Sequence, residues 1–174
     1  MGKQSGKLSS GISGSFRRNT HILIILSGCA STTGKILAVK SPEDFSQISS
    51  INIQEKASNI PVSEDVKTYF SEKLKQKLYE EEGYLEGKDI TIEYRFVQVN
   101  KGNRFIRWLI GFGTGKGAIR IEAKFKNTAG DVTSNIQAEG TISGGILGGE
   151  FYSAIDKAVS EMIKYIKQYY SKSQ

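Results

Sequence analysis

The sequence is poor in the residues that cross-link a fold or catalyse a reaction, with one cysteine, one histidine and two prolines in 174 positions. A single cysteine excludes an intramolecular disulfide bond. The histidine is His21, so residues 29–174 contain no imidazole for a Ser–His or Cys–His pair and no Cys/His cluster for zinc. No segment approaches the roughly 20 consecutive apolar residues of a membrane-spanning helix. We therefore expect a protein that is not an enzyme and that binds no metal ion and no cofactor.

Excess positive charge is also scarce outside the N-terminal segment, although the formal net charge is +6. Residues 1–28 carry Lys3, Lys7, Arg17 and Arg18 and no acidic side chain. Residues 29–174 carry 20 basic and 18 acidic side chains, a net charge of only +2. Because the excess does not lie in the folded part, the sequence provides no basic face for nucleic acid, and we expect no nucleic-acid partner.

A short apolar run, Ile22 to Leu26, leads into the tetrapeptide Leu26-Ser27-Gly28-Cys29. This tetrapeptide resembles the lipobox of bacterial lipoproteins, in which small residues let a signal peptidase close on the chain and the cysteine thiol is acylated. The resemblance implies that residues 1–28 are a lipoprotein signal peptide and that Cys29 is the lipidation site, the carrier of palmitate-type chains. Two or three acyl chains give stable membrane attachment where one does not. The alternative is a buried free cysteine that follows a short core strand.

The residues after Cys29 predict where the anchored protein lies. Ala30 stands where an aspartate would favour retention in the inner membrane, so the outer membrane is expected, with the domain in the periplasm. Residues 29–48 contain Ser, Thr, Gly and Pro and are interpreted as a flexible tether. The predicted parts are a signal peptide at 1–28, this tether, and a folded domain at 49–170.

Hydrophobic periodicity predicts the elements of the folded domain. Alternation of apolar and polar residues predicts strands over 49–56, 89–99 and 118–126 and in a return strand through Ile142, with a turn at 127–131 and a β-bulge where Val97 and Val99 change parity. Helical spacing predicts one helix from about Pro61 to Glu82 and another over about 149–170. The order β-α-β-β-β-α predicts a two-layer α+β sandwich, with a mostly antiparallel four-stranded sheet and two helices on one face.

Two carboxylates, Glu122 and Glu139, are predicted to share the uncovered face of this sheet. Such a pair is a candidate for acid–base chemistry. Arg120 and Lys124 alternate with them along the chain, however, and that arrangement is typical of a solvated sheet face. We therefore interpret these acids as surface residues and predict no catalytic residue.

The run Gly111-Phe112-Gly113-Thr114-Gly115-Lys116-Gly117 invites comparison with nucleotide-binding loops. A Walker loop requires a glycine where this chain has Ile110 and a serine or threonine where it has Gly117. The dinucleotide fingerprint requires a glycine where this chain has Lys116. Both motifs also begin a helix, whereas the residues that follow here alternate as a strand. We therefore expect no nucleotide partner.

Pairing of the predicted hairpin brings this run beside a second glycine-rich segment, GGILGG at 144–149. With the turn centred near residue 129, position i lies opposite about 258 − i, which places Gly113 opposite Gly145 and Gly115 opposite Ser143. Together the two segments would form a surface poor in side chains, where another backbone approaches closely. Apolar groups on such a surface are typical of a contact site. We name this surface the glycine patch, and its predicted partner-binding residues are Trp108, Ile110, Phe112, Gly113, Gly115, Ile146 and Leu147.

Three stretches together resemble bacterial lipoproteins of the domain-of-unknown-function 4410 family: Arg107 to Phe125, the turn at 127–131, and Gly140 to Ile166. The resemblance extends loosely over about 50–170, and members typically carry Gly-Ala-Gly where this chain has Gly113-Thr114-Gly115. It implies an envelope lipoprotein and supplies no catalytic residues.

These observations lead to one expectation of function and one alternative. We expect a lipid-anchored, non-catalytic cell-envelope protein that acts in envelope assembly or maintenance, through contacts with another envelope protein or with copies of itself. The alternative is a periplasmic binding module for a small apolar or glycan ligand, held between the sheet and the helices near Trp108 and Phe112.

Overall fold

The computed structural model describes residues 31–42, 46–101, 117–143 and 151–173. The described elements are β1 (Ser31–Lys40), β2 (Ser46–Ile48), β3 (Ser50–Glu55), α1 (Glu64–Lys75), β4 (Leu85–Glu86), β5 (Ile90–Asn100), β6 (Gly117–Lys126), β7 (Val132–Ser143), α2 (Phe151–Tyr169) and β8 (Tyr170–Lys172). Helix α1 continues directly into a π-helical stretch, Gln76–Glu81. The chain leaves this helix at Gly83, whose positive φ of 70° is open to glycine and costly for other residues. Among the described residues, no helix has the length and apolar character needed to cross a membrane.

Six strands form one mixed sheet in the order β1-β7-β6-β5-β3-β4. The pairs β1–β7, β7–β6 and β6–β5 are antiparallel, whereas β3 is parallel to both β5 and β4. The parallel pair β3–β5 follows from α1, which returns the chain to the same end of the sheet. Short strands β2 and β8 form a separate parallel pair. The mixed α+β class predicted from periodicity is therefore confirmed, but the predicted four-stranded sheet is too small.

The additional strands lie at the edges of the sheet, and one of them changes the predicted boundary between the tether and the domain. Residues 31–40, interpreted above as part of a flexible tether, form β1 and pair along β7 from Ser31↔Ser143 to Lys40↔Asn135. Strand β4 consists of two residues beside the start of β3. The sheet thus begins well before residue 49. Pairing with β7 provides hydrogen-bond partners for backbone N–H and C=O groups of residues 31–40, which in a flexible tether would bind water instead.

One face of the sheet carries the core, and both helices cover it. Phe70 of α1 packs against Tyr94 and Phe96 of β5, with ring centroids 4.9 Å and 5.5 Å apart. Helix α2 lies over β6, β7 and β1 and buries one continuous stripe. The stripe consists of Ala154, Ile155, Ala158, Val159, Met162, Ile163, Tyr165 and Ile166. The opposite sheet face is uncovered in the described part of the chain and carries the polar residues of the strands.

The hairpin between β6 and β7 has the predicted turn and a register that differs by one residue. Asn127 accepts hydrogen bonds from the backbone of Ala129 and Asp131, and Gly130 has φ 89°. Lys126 pairs with Val132, which agrees with the predicted sum of 258. A bulge then inserts one residue, so that Gly117 pairs with Ile142 and the sum becomes 259. The predicted bulge in β5 is confirmed between Phe96 and Gln98.

Candidate functional site

Every residue predicted from the sequence as a functional site lies outside the residues that the structure describes. This applies to the predicted lipidation site Cys29 and to the seven partner-binding residues of the glycine patch. The latter are Trp108, Ile110, Phe112, Gly113, Gly115, Ile146 and Leu147. Their positions therefore remain predictions. The structure describes only the ends of the strands that lead into these segments.

Four of those strand ends meet at one end of the sheet. Ser31 pairs with Ser143, Gly117 pairs with Ile142, and Asn100 pairs with Ala118. The first residue of β1 therefore lies beside the points where the chain enters 102–116, leaves it at Gly117, and enters 144–150. We call this the Ser31 end of the sheet. The first residue of β1 therefore lies at the same end of the sheet as the attachment points of both segments of the predicted glycine patch.

The uncovered sheet face carries a set of ion pairs built around Glu139. Its carboxylate accepts a hydrogen bond from Nε of Arg120 at 2.9 Å and lies 3.0 Å from Nζ of Lys35 on the neighbouring strand. Glu139 is only 8% exposed. Burial alone would raise the pKa of this carboxyl, but the hydrogen bonds from Arg120 and Lys35 outweigh burial and hold its pKa below the ordinary value. The carboxylate thus acts as a fixed anion that joins β6, β7 and β1.

A second set of ion pairs lies on β5 and β6. Glu93 lies 2.8 Å from Nζ of Lys126 and 3.0 Å from Nζ of Lys56. The hydrogen bond from Lys126 is the main reason that the pKa of Glu93 lies below its ordinary value. Arg95 donates from Nε to Glu122 at 2.6 Å. A pocket of about 130 Å³ lies between these pairs, and its lining residues are Lys56, Ala57, Glu93, Tyr94, Arg95, Glu122 and Lys124.

The chemistry of this face is that of a surface held by charge pairs. Glu122 and Glu139, the two acids considered as an acid–base pair, are bound by different arginines on β5 and β6. At Glu139 the ion pairs lower the pKa of the carboxyl and stabilise the anion, which opposes its use as a general acid. Within the described ranges, no group of three or more His, Cys, Asp and Glu side chains is placed to hold a metal ion.

Polar contacts fix the helix layer at the same end of the sheet as residue 101. Asp65, in the first turn of α1, accepts hydrogen bonds from Lys101 at 3.0 Å and from the Tyr152 hydroxyl at 2.9 Å. Together with a hydrogen bond from Ser63, the largest cause, these contacts hold the pKa of Asp65 well below its ordinary range. The contacts join α1, α2 and the end of β5, so the Ser31 end has a fixed frame.

The edges of the sheet carry the exposed apolar side chains. In the described part of the chain, the exposed large hydrophobic residues are Leu37 and Val39 on β1 and Leu85 on β4. Sequence reasoning missed β1, since it treated Ser31–Lys40 as part of a tether, and it missed the two-residue strand β4 beside the predicted strand β3. The signal that was present is the run Ile36-Leu37-Ala38-Val39, which has higher strand propensity than a tether requires.

Comparison with known proteins identifies the family. Residues 39–148 match the model of the family described as Domain of unknown function (DUF4410). The chain belongs to this family. The DUF4410 resemblance predicted from the sequence is thus confirmed, and the matched range covers β3 to β7 and includes most of the predicted glycine patch. No curated protein matches the chain.

Solved structures show the fold of this DUF4410 member in another protein. A dodecamer of a PelC point variant from Paraburkholderia phytofirmans matches with a TM-score of 0.52 and 11% sequence identity, over 76% of this chain and 97% of that one. A second PelC dodecamer from the same organism matches with a TM-score of 0.51 and 10% identity, over the same shares of the two chains. At this identity the likeness concerns the arrangement of helices and strands alone.

Proposed function

We propose that this protein is a lipid-anchored, non-catalytic protein of the bacterial cell envelope that acts through protein–protein contacts in envelope assembly or maintenance. The observation that carries the proposal is the tetrapeptide Leu26-Ser27-Gly28-Cys29, which has the residue types of a lipobox at each position. Cys29 is the proposed lipidation site, and Ala30 after it favours the outer membrane, with the domain in the periplasm.

The described fold supports the non-catalytic part of this proposal. The acidic residues of the uncovered face on β5, β6 and β7 are engaged in ion pairs, at Glu93, Glu122 and Glu139. An activated nucleophile would need a neighbouring base oriented by a third group. Residues 29–174 contain no histidine for that role, and the pKa values of Glu93 and Glu139 are lowered, which stabilises these two acids as anions.

The proposed contact surface is the glycine patch, together with the sheet edges. Trp108, Ile110, Phe112, Ile146 and Leu147 remain its proposed apolar contacts, and Gly113 and Gly115 the points of close backbone approach. Support comes from the Ser31 end of the sheet, where the strands that lead into both segments are neighbours. The proposed partner is an envelope protein or a further copy of this chain. Self-association gains support from PelC, because both similar structures are dodecamers.

The anchor is tested by replacing the acylated thiol. We expect Cys29→Ser to abolish incorporation of labelled palmitate and to move the protein from the membrane fraction to the soluble fraction. The matched control is Ser27→Ala, because alanine is also accepted at that lipobox position and should leave processing unchanged. Membrane fractionation of Cys29→Ser equal to that of the unmodified protein would show that the anchor proposal is wrong.

A cavity keeps one alternative function open for testing. It measures about 350 Å³ and lies between Ile36 on β1 and residues Tyr165 and Tyr169 on α2, at the border of the sheet and helix layers. Tyrosine rings suit a small apolar or glycan ligand, because they offer an apolar face with a polar tip. Titration with envelope glycans and lipids tests this function. Binding is measured by the fluorescence of Trp108 and by protection of Tyr169 from chemical modification. A flat titration for every ligand would exclude it.

A further inference from the structure

The ion pairs of the uncovered face are layered, with the acids below and the cations above. The side chain of Glu93 is 16% exposed, whereas that of its partner Lys56 is 47% exposed. The side chain of Glu122 is 13% exposed, and that of its partner Arg95 is 40% exposed. The same order holds at Glu139, which is more buried than its partners. A ligand that approaches this face from solvent therefore meets cationic groups first.

The pocket between these pairs lies where β3 ends beside β5. The backbone N–H of Lys56 still donates to the carbonyl of Tyr94 on β5, at 2.8 Å. Two residues farther along β5, the N–H of Phe96 donates to the hydroxyl of Ser58 instead of to a strand. The gap beside this point is the pocket of about 130 Å³. Pockets that enclose whole drug-sized ligands measure about 300–1,000 Å³, so this one has room for a single small group.

The cationic side chains that line the pocket have hydrogen-bond donors to spare. Within the described part of the chain, Lys124 has no acidic partner. Arg95 contacts a single oxygen of Glu122, through Nε at 2.6 Å and Nη2 at 2.5 Å, which leaves its Nη1 hydrogens for another acceptor. Lys56 contacts two oxygens, and an ammonium group has a third hydrogen. The pocket can therefore offer donors from three different side chains.

The acceptors in the pocket, by contrast, are already in use. Glu93 contacts two lysines, one at each carboxylate oxygen. Glu122 accepts from Arg95 at one oxygen, and the amide of Asn135 lies 3.5 Å from the other. Because the remaining groups are donors with positive charge, the pocket favours an anion over a cation.

The positions of the three cations indicate which anion fits. Lys56 follows β3, Arg95 belongs to β5 and Lys124 to β6. Adjacent strands are about 4.8 Å apart. Lys124 pairs with Glu93, two positions from Arg95, so the three charges form a triangle and not a row. A terminal phosphate group offers three acceptor oxygens, whereas a carboxylate offers two. The triangle therefore suits a phosphate group better than a carboxylate.

We propose that this pocket binds one terminal phosphate group, held by Lys56, Arg95 and Lys124. The site goes beyond the proposed function, because it depends neither on the lipid anchor nor on the glycine patch. The same chemical group occurs as inorganic phosphate and as the headgroup of phosphatidic acid, and the experiment distinguishes these two sources.

Titration of the detergent-purified, full-length protein with inorganic phosphate tests the site. Calorimetry measures the affinity, and the NMR signal of the Arg95 Nε–H group reports where the anion binds. We expect saturable binding together with a shift of this signal, and weaker binding of acetate, which has only two oxygens. Absence of binding up to millimolar phosphate would overturn the site, and equal affinity for acetate would overturn the assignment to phosphate.

A pair of lysine variants separates the pocket from the overall charge of the protein. Lys124→Gln removes an exposed side chain with no partner in the described part of the chain, so the fold should be retained, as circular dichroism would show. The lost charged hydrogen bond should weaken phosphate binding by about tenfold. The control is Lys75→Gln, which makes the same change in net charge at an exposed position of α1, in the opposite layer. Equal affinities of the two variants would contradict the proposal.

Nanodiscs that contain the full-length protein distinguish the two sources of the phosphate group. A shift of the Arg95 signal with free phosphate but not with phosphatidic acid identifies a soluble phosphate as the ligand. A shift with phosphatidic acid, reduced in Lys124→Gln, identifies a lipid headgroup. Phosphatidylglycerol is the control, because its phosphate diester has only two free oxygens. An equal shift with phosphatidylglycerol would show attraction to any anionic membrane and would overturn the proposal.

Discussion

Gly140 of β7 lies directly beneath the carbonyl oxygen of Ala154 on α2, so closely that a Cβ atom at Gly140 would lie 1.8 Å from that oxygen. Gly140 pairs with Gly34 on β1, where an added Cβ would lie 2.8 Å from Cγ of Glu161. The pair of glycines thus lets α2 approach two neighbouring strands more closely than side chains would permit.

Replacement of this glycine should therefore destabilise the domain. In Gly140→Ala the new methyl group meets backbone atoms of α2, which cannot move aside as a side chain would. We expect a loss of about 1–3 kcal/mol or more in the free energy of unfolding, and a fall in Tm of roughly 2–4 °C per kcal/mol. Thermal unfolding measures the fall in Tm. The matched control is Gly117→Ala, where the nearest atoms lie at 3.5 Å; equal losses in both variants would contradict this account.

A buried tyrosine at the start of β8 gives a second prediction. The Tyr170 hydroxyl lies 2.7 Å from Oγ1 of Thr133 and donates to Oγ of Ser134 at 3.0 Å, and the residue is fully buried. Tyr170→Phe keeps the ring, which stacks on Phe125 at 5.2 Å, but leaves these hydroxyls short of a partner. We expect a loss of about 1–3 kcal/mol.

Chemical denaturation measures this loss, with Tyr152→Phe as control. The Tyr152 hydroxyl donates to Asp65 at an exposed position, so its removal should cost less. A larger loss for the control than for Tyr170→Phe would show that burial does not decide the cost.

The pH dependence of stability follows from Glu139. Its pKa in the folded protein lies below the ordinary value of 4.5, so the unfolded chain binds a proton there more readily than the folded one. The contribution of Glu139 to the free energy of unfolding is complete above the ordinary pKa. It is lost as the pH falls through the lowered pKa of the folded protein. We expect unfolding free energy to decline from roughly pH 5 downward, and less steeply in Glu139→Gln. Glu80→Gln, at an exposed helix position, should retain the original slope; an unchanged slope in Glu139→Gln would contradict the prediction.

The hairpin turn offers a test of backbone conformation without packing. Gly130 has φ 89°, and an added Cβ would meet no atom within 4 Å. Gly130→Ala should therefore cost about 1–2 kcal/mol through the left-handed backbone alone. Gly130→Asn should cost less, because asparagine tolerates that conformation. Equal stability of both variants, measured by urea denaturation, would exclude a conformational origin.

The sequence predicted the elements that have a clear period. Alternation from Ile90 to Phe96 and the apolar stripe of α2 arise from one buried face each, and both elements formed where expected. Strand β1 has no such signal, because its apolar residues run from Ile36 to Val39 without alternation and two of them are exposed. Its pairing with β7, more than a hundred residues later at Ser31↔Ser143, is a tertiary contact that a local pattern does not contain.

The register of the hairpin shows the same limit at a finer scale. The turn residues predicted the pairing of Lys126 with Val132 correctly. The bulge that follows depends on Thr133, whose hydroxyl lies within hydrogen-bonding distance of the Phe125 carbonyl, at 3.2 Å, and of Tyr170, at 2.7 Å. Those partners come from a neighbouring strand and from the C-terminal segment, so the one-residue shift has no local cause in the sequence.

The start of β1 has a consequence for how the protein would find its partners. The strand begins at Ser31, two positions after Cys29. Two residues of extended chain span at most about 7 Å. A domain acylated at Cys29 would therefore be held close to the membrane surface and could move only a few ångströms away from it. Its encounters would be those of lateral diffusion in the plane of the membrane, with neighbours held at the same height and in the same orientation.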